Sequence, residues 1–282
     1  MEPASVSQVL TSAAALLLES GVEAPRLSAR LILGHVLGVS QEHLLAHPEL
    51  QLDSQQLEQF KALTARRLAG EPVAYIVGSK EFYGLDFMVT RDVLIPRPET
   101  ELIVDHVLSF FQDQSGLVLA DLGTGSGILA VTLCLNLPGS RCLACDISPA
   151  ALKVAVMNAL KHQTAHRTLF FLSDLAQAVR PGSLDLLVSN PPYLSRKDFD
   201  QAPHHVTAFE PEIALLSQDN GLGHIRFLEK SAAITLKPGG MIVLEMGTGQ
   251  AEDVAGIFQA WSGQRVIRDL AGHDRLFQAF KP

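Results

Sequence analysis

Asn190-Pro191-Pro192-Tyr193 follows the apolar run Leu184 to Val188, so these four residues are expected where a buried strand ends. The carboxyl end of a strand in an open α/β sheet is where ligands bind, and two consecutive prolines there fix the backbone and remove two amide donors. What remains is rich in acceptors. The side-chain oxygen of Asn190 and the carbonyl of Pro191 can receive the two N–H bonds of a planar NH2 group, and Tyr193 offers a face for that group to pack against. The chemistry expected is recognition of an amide or an exocyclic amine. Taken alone, the stretch also reads as an ordinary turn after a strand.

A second stretch narrows the choice. Asp121-Leu122-Gly123-Thr124-Gly125-Ser126-Gly127 lies between the apolar run Leu117 to Ala120 and the helix-like segment Ile128 to Leu135. Strand, glycine loop and helix occur in that order, and the three glycines allow a tight turn with amide donors at a helix start. A dinucleotide loop reads G-x-G-x-x-G, but the third position after Gly125 is Ile128, which does not suit a standard nicotinamide or flavin site. A G-x-G-x-G loop after an acidic residue suits S-adenosylmethionine, whose amino acid part brings an ammonium and a carboxylate instead of a pyrophosphate. The next strand, Arg141 to Cys145, ends in Asp146, about 20 positions beyond the loop, as for a carboxylate that takes ribose hydroxyls. Ser148 and Pro149 read as N-cap and first helical residue. A third strand, Thr168 to Leu172, runs into Ser173-Asp174-Leu175, so Asp174 and Leu175 are candidates for the adenine side, with Leu175 as an apolar lid. For Asp146 and Asp174 the alternative of a plain loop acid stays open.

These residues need a frame. From Pro96 onward strand-like and helix-like segments alternate, as in a doubly wound α/β sheet. Gly221 to Leu236 reads as a helix, Lys237-Pro238-Gly239-Gly240 as a turn, Met241 to Met246 as a buried strand and Gln250 to Trp261 as a helix. Arg265 to Leu270 and Leu276 to Phe280 read as a closing antiparallel hairpin. Residues 1–72 read as a small helical bundle, with helices over Val6 to Glu19, Arg26 to Leu37 and Ser54 to Leu68, Asp53 or Ser54 as a cap, and Gly21, Gly38 and Gly70 as stops. It carries no catalytic constellation and is expected to recognise a substrate or to stabilise the chain. Residues 73–95 alternate around Tyr83-Gly84 and suggest a β-hairpin linking the two domains, leaving 96–282 as the catalytic domain. The segment Leu194 to Pro211 is long for a connection and is expected to close over a substrate.

Composition sets limits on partners. A hydrophobic share of 47% against 18% charged residues suffices for a core, and no apolar run has transmembrane length. The start Met1-Glu2-Pro3 lacks the basic region of a secretory signal, which suggests a cytoplasmic, bacterial-type protein. The net charge is −8, with acids in excess both before and after residue 72. Direct nucleic-acid binding is therefore disfavoured, while a basic protein partner is accommodated. Cys142 and Cys145 form a C-x-x-C on one strand, where residues three apart point to opposite faces, so they read as buried hydrophobes and no metal is expected. The pair His204-His205 reads as loop surface.

Several blocks together resemble the protein-(glutamine-N5) methyltransferases of peptide chain release factors, the PrmC/HemK family. They are Ala74 to Gly78, Glu81 to Leu85, Leu94-Ile95-Pro96-Arg97-Pro98-Glu99-Thr100-Glu101, Asp121 to Gly127, Ser189 to Tyr193, Glu210-Pro211 and Asp269 to Arg275. The resemblance implies a class I, Rossmann-like S-adenosylmethionine-dependent methyltransferase domain behind the helical bundle. It implies methyl transfer to the side-chain amide nitrogen of the glutamine in the Gly-Gly-Gln motif of class I release factors, with S-adenosylhomocysteine as product. Gly123, Thr124, Gly125, Ser126, Gly127, Asp146, Leu175 and Asn190 would then hold the cofactor, and Asn190, Pro191, Pro192 and Tyr193 the target glutamine, with Asn190, Pro191 and Tyr193 catalytic. Some relatives carry an aromatic residue at the position of Leu175. Arg97, Glu99 and Thr100 receive no firm role: the segment either lines the site or caps the next helix. The NPPY tetrapeptide also occurs in adenine-N6 methyltransferases acting on DNA or RNA, which is the alternative reading, and a noncatalytic S-adenosylmethionine-binding module is a third.

Overall fold

The computed structural model describes residues 4–282. By its contacts the chain divides into two units, one running to Ser79 and also taking in His204–Phe209, the other made of Lys80–Pro203 and Glu210–Pro282.

The first unit contains a short strand β1 (Ala4–Ser5), helices α1 (Val6–Glu19), α2 (Pro25–Leu37) and α3 (Gln41–Ala46), strand β2 (Gln51–Leu52), and helices α4 (Ser54–Leu68) and α5 (Val73–Val77). Capping boxes start two of the helices, Ser5 with Gln8 and Asp53 with Gln56, each satisfying two helix-end donors and contributing about 1 kcal/mol. Leu17, Ile32, Leu33, Leu44 and Phe60 meet in the bundle core. Two elements depart from the sequence reading. The six-residue α3 is too short to show a periodicity. Val73–Val77, expected within the hairpin, forms a helical turn closed by Gly78 in the left-handed region, so the hairpin itself is confined to β3 (Ser79–Phe82) and β4 (Leu85–Met88).

Beyond the hairpin, a 3-10 turn at Pro98–Thr100 leads into α6 (Glu101–Phe111). Then follow β5 (Val118–Leu122), α7 (Ile128–Asn136), β6 (Arg141–Asp146), α8 (Pro149–Lys161), β7 (Thr168–Leu172) and β8 (Leu184–Ser189). The chain continues through α9 (Arg196–Gln201), α10 (His204–Thr207), α11 (Gly223–Thr235), β9 (Leu236–Glu245), α12 (Ala251–Ile257), β10 (Ser262–Arg268) and β11 (Asp274–Phe280). Seven strands form one sheet in the order β10-β11-β9-β8-β5-β6-β7. Strands β5 to β9 run parallel to one another, and β11 pairs antiparallel with both β9 and β10. A parallel sheet of this kind must be covered on both faces, which explains why its central strands are mostly apolar, interrupted by Asp121 in β5 and Asp185 in β8.

Successive residues feed opposite cores. Leu119 and Cys142 pack into one hydrophobic layer with Ile103, Val107 and Leu133. Leu122 and Cys145 pack into the other with Ile225, Leu228 and Phe258. All three cysteines are free and buried. Lys237 to Gly240, expected as a turn before a strand, is a bulge within β9: Leu184 pairs with Leu236, yet Leu186 pairs with Met241. His204 and His205 lie in the short helix α10. Among the described residues no helix is long and apolar enough to cross a membrane.

Candidate active site

Because β5 and β8 are adjacent and parallel, the glycine loop after one and the tetrapeptide after the other emerge at the same sheet edge. The Ser189 hydroxyl fastens them by donating to the Leu122 carbonyl at 2.6 Å. A cavity of about 740 Å3 opens there, within the range usual for small-molecule sites. Gly123 to Ser126, Asp146, Leu175, Asn190, Pro191 and Pro192 all line it.

The loop is held mostly by bonds from its own amides to the end of β6. The amides of Gly123 and Thr124 donate to the Cys145 carbonyl, and that of Gly127 to the Thr124 carbonyl. Gly125 donates to Asp146 Oδ2 at 2.9 Å. The sequence reading expected amide donors turned toward a ligand; four of them are instead spent inside the protein, as suits a loop that binds no phosphate. Glycine is favoured at position 127 on two counts: its φ is +81°, and a Cβ there would lie 3.1 Å from the Ala155 Cβ. It does not line the cavity, but it brings α7 against α8.

Asp121 lies buried under the loop, where its Oδ2 accepts from the Thr124 hydroxyl at 2.6 Å and from the Ala130 amide at 3.1 Å. Burial pushes its carboxyl up to about 6, with the charge of Asp146 adding to the rise. Asp146 accepts from Gly125 on one oxygen and from the Ser148 amide on the other. A carboxylate has about four lone-pair positions, so two acceptor positions remain for a diol. Leu175 has a positive φ of 53°, its carbonyl accepts from the Cys145 thiol, and with Asp174 it forms the wall after β7.

At the tetrapeptide, the Asn190 amide nitrogen donates to the Thr100 hydroxyl at 3.0 Å. Neither Asn190 Oδ1 nor the Pro191 carbonyl receives a hydrogen bond from the described residues. Two acceptors are thus left at the cavity wall. Tyr193 is placed differently from the expectation that it offers its face to a ligand: it is not among the residues lining the cavity. Its hydroxyl reaches Glu245 Oε1 at 3.2 Å, and its carbonyl accepts from the Gln250 side chain. A Cβ at Gly221, where φ is +92°, would lie 2.3 Å from that carbonyl oxygen, so the chain behind Tyr193 closes around it only with glycine there. Burial and then the Glu245 charge hold the phenol far above its ordinary value, so it remains a donor.

The segment before α6 separates into distinct roles. Pro96, Arg97 and Thr100 line the cavity, and Glu99 does not. Arg97 pairs with Glu210 at 2.6 Å, and that carboxylate also accepts from the Ile95 amide. Arg196 of the long connection and, just beyond it, Ile213 and Leu216 line the cavity; the Leu194–Leu216 bridge and the Arg196–Glu212 ion pair at 2.6 Å tie the two stretches together.

Some lining residues escaped the sequence reading. Ile147, half exposed at the cavity, was signalled only by its place after Asp146. Phe227 on α11 is 58% exposed there, and nothing in the helix pattern marked it. Glu245, which lies behind the wall and does not line the cavity, was signalled by being an acid inside the apolar run Met241 to Met246. Among the described residues no group of His, Cys, Asp and Glu is placed to hold a metal ion.

Residues 8–78 match the PrmC N-terminal domain family and residues 100–209 the methyltransferase small domain family. A release factor glutamine methyltransferase from Nitratidesulfovibrio vulgaris is 40% identical over 99% of this chain and 98% of its own length. The chain belongs to the release factor glutamine methyltransferase family. A second member, from Moorella thermoacetica, is 40% identical over 98% of the chain and 99% of its own length. A solved methyltransferase from Pyrococcus furiosus matches 78% of the chain and 98% of its own, with a TM-score of 0.54 at 18% identity, which shows the shared class I fold. The cavity of this member lies within the second of its two contact units.

Proposed function

We propose that this enzyme transfers a methyl group from S-adenosylmethionine to the side-chain amide nitrogen of the Gly-Gly-Gln glutamine in peptide chain release factors. The observation that carries the reading is that one cavity holds both halves of the chemistry: the glycine loop with Asp146 on one wall, and the acceptors of Asn190 and Pro191 on another.

The residues present fit the cofactor. Asp146 keeps acceptor capacity for ribose hydroxyls, Ile147, Leu175 and Phe227 offer apolar surface for a base, and the glycine loop with buried Asp121 suits an amino acid end. S-adenosylmethionine supplies, when bound, an electrophilic methyl group. The chain's own residues prepare the acceptor. An amide nitrogen is a poor nucleophile because its lone pair is delocalised into the carbonyl. Asn190 Oδ1 and the Pro191 carbonyl grip its two N–H bonds, pull electron density onto nitrogen and offset the positive charge that develops there, a preorganised electrostatic effect. The prolines hold the grip rigid, which contributes orientation. No dedicated base is required, because the proton becomes acidic only once the nitrogen has been alkylated and then passes to solvent. Tyr193 acts from behind the wall, by anchoring the tetrapeptide.

The helical unit is read as the surface that recognises the factor, with residues 1–72 as that domain, 73–95 as linker and 96–282 as catalytic domain. Acting on release factors, the enzyme works in the cytoplasm. Labelled S-adenosylmethionine incubated with a release factor, its Gln→Ala version at Gly-Gly-Gln and duplex DNA tests the whole reading. Label on the parent factor alone is the expected result; label on DNA would favour adenine-N6 chemistry, and label on neither would leave a binding module.

A further inference from the structure

We propose that Thr100 and Glu245 are positioning residues that set which end of the Asn190 amide faces the target. The proposal rests on reading Asn190 as the acceptor for the glutamine amide.

Asparagine is useful here only if its oxygen, not its nitrogen, meets the incoming N–H. The two ends of the amide have nearly the same shape, so something must distinguish them. Thr100 is fully buried and its hydroxyl has a single proton. That proton goes to Glu245 Oε2 at 2.7 Å. Toward Asn190, 3.0 Å away, the hydroxyl oxygen is therefore left as an acceptor, and only the Asn190 nitrogen satisfies it. The second oxygen of Glu245 accepts from Tyr193 at 3.2 Å. Both oxygens are acceptors, as in an ionised carboxylate. Were Glu245 protonated it could donate to Thr100, Thr100 would donate onward, and the chain of bonds would run in reverse. Asn190 would then turn its oxygen inward and show the target two donors, which an amide NH2 cannot use.

The charge on Glu245 thus decides the direction of the chain. Its carboxyl is fully buried, and burial raises it above the usual carboxylate range; the Thr100 hydrogen bond, the positive charge of Arg275 and the Tyr193 hydroxyl oppose that rise. Arg275 is in turn held by Asp269 through two contacts of 3.1 and 3.3 Å. The Met246 amide donates to the Arg275 carbonyl, which ties this part of β11 to the end of β9. The path from Glu245 through Thr100 to Asn190 gives a role to Thr100, in the sequence block Pro96 to Glu101 that had no firm one.

The test compares Thr100→Val, which keeps shape and loses the hydroxyl, Thr100→Ser, which keeps the hydroxyl, and the isosteric Glu245→Gln. Each is assayed for kcat on a release factor, for S-adenosylmethionine Kd by calorimetry and for melting temperature. We expect kcat to fall on the order of 30-fold in Thr100→Val and in Glu245→Gln while Kd stays within about twofold, and Thr100→Ser to recover to within about threefold of the parent. Equal losses in the Ser and Val variants, an unchanged kcat in Val, or a Kd that weakens in step with kcat would overturn the proposal. If Thr100→Val does not fold, Glu245→Gln decides between the same outcomes. A parent enzyme that leaves the factor unlabelled would instead overturn the reading of the reaction, and the proposal with it.

Discussion

The side-chain nitrogen of Asn158 donates to the carbonyl of Ser126 at 2.8 Å, so a residue of α8 holds the glycine loop from below. The same nitrogen reaches the Met88 carbonyl at 2.9 Å, and the Asn158 oxygen accepts the Met88 amide at 2.8 Å. One fully buried amide therefore joins the end of β4 to the loop. In Asn158→Leu three backbone groups lose their partner at nearly constant volume. With each such loss costing roughly 1–3 kcal/mol, urea unfolding should show a destabilisation of about 3 kcal/mol or more. A loss under about 1 kcal/mol would mean that water replaces the amide without cost.

Removing the Asn190 amide should separate chemistry from cofactor binding. For Asn190→Ala we expect kcat to drop by roughly 10²–10³ with S-adenosylmethionine Kd changed less than about threefold, as for loss of a preorganised polar contact. Single-turnover methylation and calorimetry on the same preparation check both numbers. A large rise in Kd with kcat preserved at saturation would move Asn190 from the target side to the cofactor side.

Asp146 should show the opposite split. Its two oxygens each accept a backbone amide, from Gly125 and from Ser148. In Asp146→Asn one oxygen becomes a donor aimed at an N–H group, and acceptor capacity toward a diol is lost as well. S-adenosylmethionine affinity should weaken by about tenfold or more, equivalent to at least about 1.4 kcal/mol, while kcat at saturation changes little. Unchanged affinity would remove Asp146 from the cofactor wall.

Asp121 makes the stability of the free enzyme depend on pH. Its carboxyl rises to about 6 when folded, chiefly through burial, against an unfolded value of roughly 3.9. A raised acid favours the protonated form in the folded state. Its contribution is complete below about pH 4 and is lost as pH climbs through about 6. Asp121→Asn retains an oxygen for Thr124 and Ala130 and does not titrate. Between pH 5 and pH 7.5 the parent should therefore lose stability relative to the variant, by an amount on the order of 1–3 kcal/mol. Parallel melting curves across that range would exclude Asp121 as the titrating group.

The frame of the site was legible where one physical demand dominated a short stretch. Leu186 to Val188 had to be apolar because β8 is covered on both faces, and Gly127 is favoured by its positive φ and by Ala155 standing close against it. The helix α3 and the turn Val73–Val77 were not legible, since six and five residues give too little periodicity to separate from a loop or a strand. Thr100 and Glu245 show the deeper reason for the gap. They touch across 145 positions, so that neither the acid in the apolar run Met241 to Met246 nor the threonine before α6 names its partner in the sequence. Tyr193 was read by its chemical type, as a face for a ligand, when its surroundings had already engaged it: Gly221, Gln250 and Glu245 hold it on the far side of the wall.

Strand β11 follows every other strand in the chain, yet it occupies an interior place in the sheet, between β10 and β9. A ribosome that has synthesised β9 but not β11 therefore carries a nascent chain whose β9 has one bare row of hydrogen-bonding groups, beside apolar residues such as Ile242 and Leu244. Such an edge invites pairing with other chains. Glu245 would meanwhile face water, with Arg275 not yet made. The bare row of β9 is covered and the Glu245 charge acquires its positive neighbour through the same addition of one strand.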